Sequence, residues 1–221
     1  MRQIVINAFV TLDGVMQAPG GPEEDRSGNF KYGGWSANYW DDKMEKTMAE
    51  FLGKDFDLLL GRKTYEIFAA HWPYIKNDPA ADKLNAAKKY VVSRTLEKVD
   101  WQNSNLVQGD VVKEIIKLKQ KDGPEIQVHG SANLIQTLLK NNLIDELQLM
   151  IFPMIIGKGK RLFEEGVVPS AMKLVDQQQS ATGVIVARYQ PAGEINVGSF
   201  ALAEPTEAEV ERRQKWAVEN E

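Results

Sequence analysis

No cysteine occurs among the 221 residues. This excludes disulfides, thiolate nucleophiles and cysteine-ligated zinc or iron–sulfur centres. It fits a reducing cytoplasm, the compartment expected here. Histidine is scarce, with only His71 and His129 present. A hydrolytic triad or a histidine-rich metal site is therefore not expected, and no metal is assigned. No apolar run reaches the length of a membrane span, and residues 1–9 turn polar too soon for a signal peptide. Common glycine signatures are missing too. There is no G-x-G-x-x-G, no G-x-S-x-G and no H-E-x-x-H. Gly157-Lys158-Gly159-Lys160 is no phosphate loop, because Ser or Thr does not come after the second lysine. Positive charge is in deficit: 27 Lys and Arg face 31 Asp and Glu, for a net charge of -4 and a pI near 5.4. Such a chain is a poor generic partner for nucleic acid or an anionic membrane. An anionic ligand must be met by local clusters of Lys and Arg.

What is present is an ordinary globular composition, 43% hydrophobic and 26% charged. The length suits one α/β domain with a tail. Residues 4–10 read as a buried strand, followed by a long Gly-, Pro- and acid-rich loop over 13–38. Helical spacing covers 39–54 and 63–70, and strands are expected at 57–60, 89–92 and 104–107. Asp110 is a cap for a helix to about Gln120. Strands at 125–129 and 146–152 flank a helix at 131–140. Residues 172–177 and 183–189 read as an antiparallel pair. Alternating strands and helices imply right-handed crossovers and a mixed, mostly parallel sheet flanked by helices. Residues 1–190 form the expected domain. Residues 191–221 are an extension with a charged helix near 207–219, opened by a Thr206/Glu209 capping box. Val210, Trp216 and Ala217 would dock it on the domain or on a partner subunit, and a homodimer is the expected assembly.

Three strand ends carry chemistry suited to a dinucleotide, because ligands of open α/β sheets sit at the carboxyl ends of strands. Gly61-Arg62-Lys63-Thr64 offers a tight turn, helix N-terminal amides, a hydroxyl and two cations. Ser93-Arg94-Thr95 offers a hydroxyl and a guanidinium. Gly130-Ser131-Ala132-Asn133-Leu134 brings close backbone approach and a second helix N-terminus. Alone, the first reads equally as a solvated basic turn, a surface Ser-Arg more often has no role, and the third is also a common capped helix. Their force lies in recurring at successive strand ends.

With Ala8, Thr11-Leu12-Asp13-Gly14-Val15, Gly61–Glu66, Val92–Thr95, His129–Leu134 and Phe152-Pro153 through Phe163, the sequence resembles the dihydrofolate reductase family, in its bacterial RibD C-terminal-domain-like branch. The pieces occur in the family's order over most of residues 1–190. The resemblance implies a dihydrofolate-reductase-like fold and NADPH as hydride donor. It places Gly61, Arg62, Lys63, Thr64, Ser93, Arg94 and Thr95 at the adenosine end and its 2'-phosphate, and Gly130 to Leu134 at the pyrophosphate. Ala8, Gly14 and Val15 would line the nicotinamide end, and a loop carrying Gly157 and Gly159 would close over the site. Folate-reducing members carry an acid on the first long helix that binds the pterin ring. Asp41, Asp42 and Glu45 lie near that place without an unambiguous match.

The implied activity is hydride transfer to a small pteridine- or pyrimidine-like heterocycle. Asp13 is the first candidate proton donor or substrate anchor, since it comes just after the first strand, and Asp42 is the second. Trp35, Tyr39 and Trp40, with Phe152 and Pro153, are expected against the substrate. A nucleotide-binding protein without turnover and a flavin-binding scaffold remain as alternatives.

Overall fold

Strand β1 (Ile4–Thr11) runs through the middle of the molecule with seven of its eight residues buried. In this computed structural model, which describes residues 1–219, it pairs in parallel with β5 (Glu125–Val128) on one side and β6 (Glu146–Phe152) on the other. A strand buried on both faces needs a near-continuous apolar run, and Ile-Val-Ile-Asn-Ala-Phe-Val supplies one interrupted only by Asn7. Beyond β5 lie β2 (Phe56–Gly61), β3 (Lys89–Val92) and β4 (Ser104–Val107), all parallel. Beyond β6, β8 (Ile185–Pro191) and β7 (Met172–Gln179) run antiparallel. The order is β4-β3-β2-β5-β1-β6-β8-β7, the mixed, mostly parallel sheet the sequence predicts.

Side-chain alternation divides the core. Ile4, Ile6, Ala8 and Val10 face one side, under α4 (Val111–Gln120) and α5 (Ala132–Lys140). Phe9 faces the other, with Met44 and Met48 of α1 (Asp42–Phe51) and with Phe152. Helix α2 (Arg62–Ala69) and α3 (Pro79–Ala86) cover the β2–β3 end through Tyr65 and Leu84, packed with Trp101 of the loop before β4.

Helix α1 begins at Asp42 rather than Tyr39, because the Asp41 carboxylate accepts from the Met44 amide at 2.8 Å and caps it there. Tyr39 belongs to a preceding 3₁₀ turn. Helix α3 is not among the elements expected from hydrophobic spacing; its signal is Asp78-Pro79. Asp78 accepts from Ala81 N at 2.8 Å, and Pro79 occupies the first turn. The last helix, α6 (Glu207–Glu219), starts as expected, with Thr206 Oγ1 accepting from Glu209 N at 3.3 Å. None of its described residues is buried against the domain. Among the described residues, no helix is long and apolar enough to cross a membrane.

Candidate functional site

Six parallel strands, β1 to β6, end on one edge of the sheet. A cavity of about 390 Å³ opens there, bounded by β1, α1, α2, the start of α5 and the 16–25 loop. Of the predicted residues, Ala8, Trp40, Lys63, Thr64, Gly130, Ser131 and Ala132 line it.

The two glycines at the strand ends are required by close approach. Gly61 has ordinary φ, but a Cβ there would collide with Ser131 Oγ. Gly130 sits at φ +141°, and a Cβ on it would lie 2.6 Å from Thr64 Oγ1. Because β2 and β5 are neighbours, the starts of α2 and α5 are drawn together at this point. Their caps differ from those of the other core helices. Asp41, Asp78 and Asp110 cap α1, α3 and α4 through side chains, whereas Gly61 and Ser131 give α2 and α5 no side-chain cap. Two sets of helix N-terminal amides are thus left for an anion.

Positive charge at this rim is already engaged. Asp25, from the long loop, pairs with Lys63 at 3.5 Å and with Lys160 at closer range. Burial works against the Asp25 charge, but the bonds from Lys160 and Ser27 prevail and hold its carboxyl at about 2. Glu24 also lines the cavity; burial raises its carboxyl, against the amides of Gly20 and Gly21.

Arg62 stands exposed at the start of α2, paired with Glu66 at 3.0 Å. The register Gly61↔Val92 sets Ser93 and Arg94 beside it, off the cavity wall. Ser93 Oγ accepts from the amides of Thr95 at 3.1 Å and Leu96 at 2.9 Å, and Arg94 is exposed. Thr95 faces a separate groove near Tyr65 and Trp101. Asn133 is exposed, and Leu134 is buried in the core.

Asp13 does not reach the cavity. Its carboxylate accepts from Thr11 Oγ1 at 2.6 Å, Ile156 N at 3.1 Å and Gly157 N at 2.8 Å, with Arg161 at 3.5 Å. Burial alone would raise it, yet these bonds hold it at about 2. Asp13 therefore fastens the 152–163 loop to the end of β1 and carries no proton to donate near neutral pH. Gly14 and Val15 complete that fastening: Leu162 N donates to Gly14 O, and Val15 bridges Arg161. Gly159 lies against Val15 and Phe30, and of this loop it is Lys160 that reaches the cavity.

Asp42 is exposed in the first turn of α1, away from the cavity, because Asp41 takes the cap and it is Glu45, itself exposed, that borders the cavity. Trp35, Tyr39 and Phe152 are likewise not brought to it. Phe152 is fully buried, with Trp35 at 5.1 Å and Tyr39 at 6.0 Å edge-on, so they form an aromatic core beneath the site. Pro153 is exposed after β6.

Several cavity residues are given no site role by the sequence. Glu45 accepts from Trp40 Nε1 at 2.8 Å, one turn into α1. Phe68 and Trp72 add aromatic walls, and His129 lies 6.0 Å from Phe68 with Nε2 3.2 Å from Gln127 Oε1. Burial lowers the His129 imidazole to about 4, so it is neutral at pH 7. The signal for them is spacing: Gln127 and His129 alternate along one strand face, and Glu45 lies three residues after Asp42.

Residues 2–186 match the family model of the RibD C-terminal domain. The chain belongs to the RibD C-terminal domain family. Among relatives, it is 31% identical over 194 residues to YyaP of Bacillus subtilis (strain 168), covering 85% of this chain and 94% of that one. A putative riboflavin biosynthesis protein from Shewanella sp. PV-4 superposes with a TM-score of 0.62 at 22% identity, over 86% of this chain and 99% of that one. Dihydrofolate reductase from Enterococcus faecalis, complexed with NADP(H), superposes with a TM-score of 0.56 at 14% identity, over 86% and 96%. The fold of this RibD C-terminal domain protein is thus dihydrofolate-reductase-like.

Proposed function

We propose that this RibD C-terminal domain protein is an NADPH-dependent reductase acting on a small heterocycle of the pteridine or pyrimidine class. Family and fold support a reductase-type role. The observation that carries the cofactor assignment is the pair of uncapped helix N-termini, α2 and α5, meeting at the cavity rim. The amides of Lys63 and Thr64 and those of Ala132 and Asn133 would hold the phosphates, which they suit by dipole and donor count. Lys63 and Lys160 supply charge, with Asp25 as the internal counter-ion that a phosphate would share or displace. Arg62 and Arg94, exposed at neighbouring strand ends, would favour a 2'-phosphate.

When bound, NADPH supplies the hydride. The protein's residues do the rest. Trp40, Phe68 and Trp72 would flank a flat ring, and Glu45 is set to accept an N–H from it. The neutral His129 adds no charge of its own to the cavity wall. The test is NADPH oxidation measured against dihydrofolate, oxidised and dihydro pteridines, and aminopyrimidines. Consumption with one ring class is expected. Absence of consumption with every ring, despite saturable NADPH binding, would reduce the protein to a nucleotide-binding module.

A further inference from the structure

Asn7 is 8% exposed, and neither its Oδ1 nor its Nδ2 has a partner. Ser104, Gln136, Gln148 and Arg188 each leave one buried side-chain atom unpaired, but none of them lines the cavity. Asn7 does line it, and it leaves both atoms unpaired. An amide in that state lowers stability, so natural chains rarely keep one without another use.

Its surroundings narrow the use. Asn7 interrupts an otherwise apolar β1 and points to the face shared with Phe9 and α1. Its register partner on β6 is Gln148, and one step past Ile6↔Val128 lies His129. Gln127, nearby on the same face, is answered by Phe51 O at 2.9 Å and by His129. Phe9, Trp40, Phe68 and Trp72 make the walls aromatic. A planar amide at the floor of an aromatic slot presents one donor and one acceptor in a plane. Its complement is a ring edge with an adjacent N–H and C=O, a lactam, bound by two parallel hydrogen bonds.

We infer that Asn7 is the specificity-determining residue of this cavity and reads the lactam edge of a flat heterocyclic substrate. The inference deepens the reductase reading and rests on it for the chemistry after binding. Recognition itself is measurable without turnover.

The experiment titrates the full chain and Asn7→Leu with 2-amino-4-oxopteridine and with 2-amino-4-methoxypteridine, which keeps the ring and loses the lactam N–H. Wild type should prefer the lactam by about ten- to hundredfold, the worth of two neutral hydrogen bonds. Asn7→Leu should abolish the preference and melt no lower than wild type, because an unpaired amide gives way to an apolar side chain of similar size. Three results would overturn the inference: a preference that survives Asn7→Leu, a wild type that binds neither ring, or a variant that melts several degrees lower. NADPH oxidation is run separately. Lactam preference without turnover overturns the reductase reading alone, and turnover with a preference indifferent to Asn7→Leu overturns the inference alone.

Discussion

Asp13 and His129 show how two residues of one fold take opposite charge states. Asp13 gathers Thr11 Oγ1 and two amides, so its charge is structural. His129 has Gln127 as its hydrogen-bond neighbour and sheds its proton. In the folded chain it titrates at about 4, against an unfolded value of 6.5. Between those values the unfolded chain binds more protons, so stability falls as pH drops through that window. Asp13 and Asp25, both held at about 2, add their own loss at lower pH, as pH falls below the ordinary aspartate range. Urea melts of wild type and His129→Gln from pH 7 to pH 4 should therefore diverge, with the variant flatter; parallel curves would show that the imidazole is not buried neutral. At the strand ends, Gly61→Ala drives a methyl into Ser131 Oγ and should cost about 1–3 kcal/mol. Combining it with Ser131→Gly should return part of that loss. A double variant no better than the additive sum would separate the two positions.

At the scale of elements, the helix caps decide what the site can do. Asp41 holds α1 at Met44 N and also accepts from Ala181 N at 2.8 Å, tying the helix to the β7–β8 turn. Asp41→Ala should lower the melting temperature. It should also weaken ring binding, since α1 carries Glu45, Met48 and the Trp40 contact; an unchanged melt would refute the cap. The strands are legible in the sequence because β1, β2 and β6 are largely apolar runs and β5 is a short Ile-Gln-Val stretch between turn residues, and the three basic or glycine strand ends are legible as local motifs. Asn7 is not, and Glu45 shows only as one acid among three, because their importance depends on which way α1 and β1 face. An acidic triplet at 41, 42 and 45 does not reveal its cap until the helix start is known. The aromatic set splits for the same reason, Trp40 at the cavity and Trp35, Tyr39 and Phe152 beneath it.

Across the whole molecule, the family match ends at residue 186, and the described residues beyond Pro191 are almost all exposed. Backbone bonds from Ala192 N and to Gly193 O close the β7–β8 end, and α6 buries nothing. Removing residues 195–221 should leave the melting temperature within about 1–2 °C of the full chain. A larger fall, together with a doubled mass of the full chain by light scattering, would show that the tail is ordered by a second copy. The cofactor assignment rests on the edge where α2 and α5 meet uncapped beside Lys63, Arg62 and Arg94. Calorimetric titration of the full chain with NADPH and with NADH tests it most directly. Saturable binding is predicted with NADPH the tighter, and a loss of that preference in Arg62→Ala and Arg94→Ala. Equal affinity for the two cofactors, or no binding of either, would contradict it.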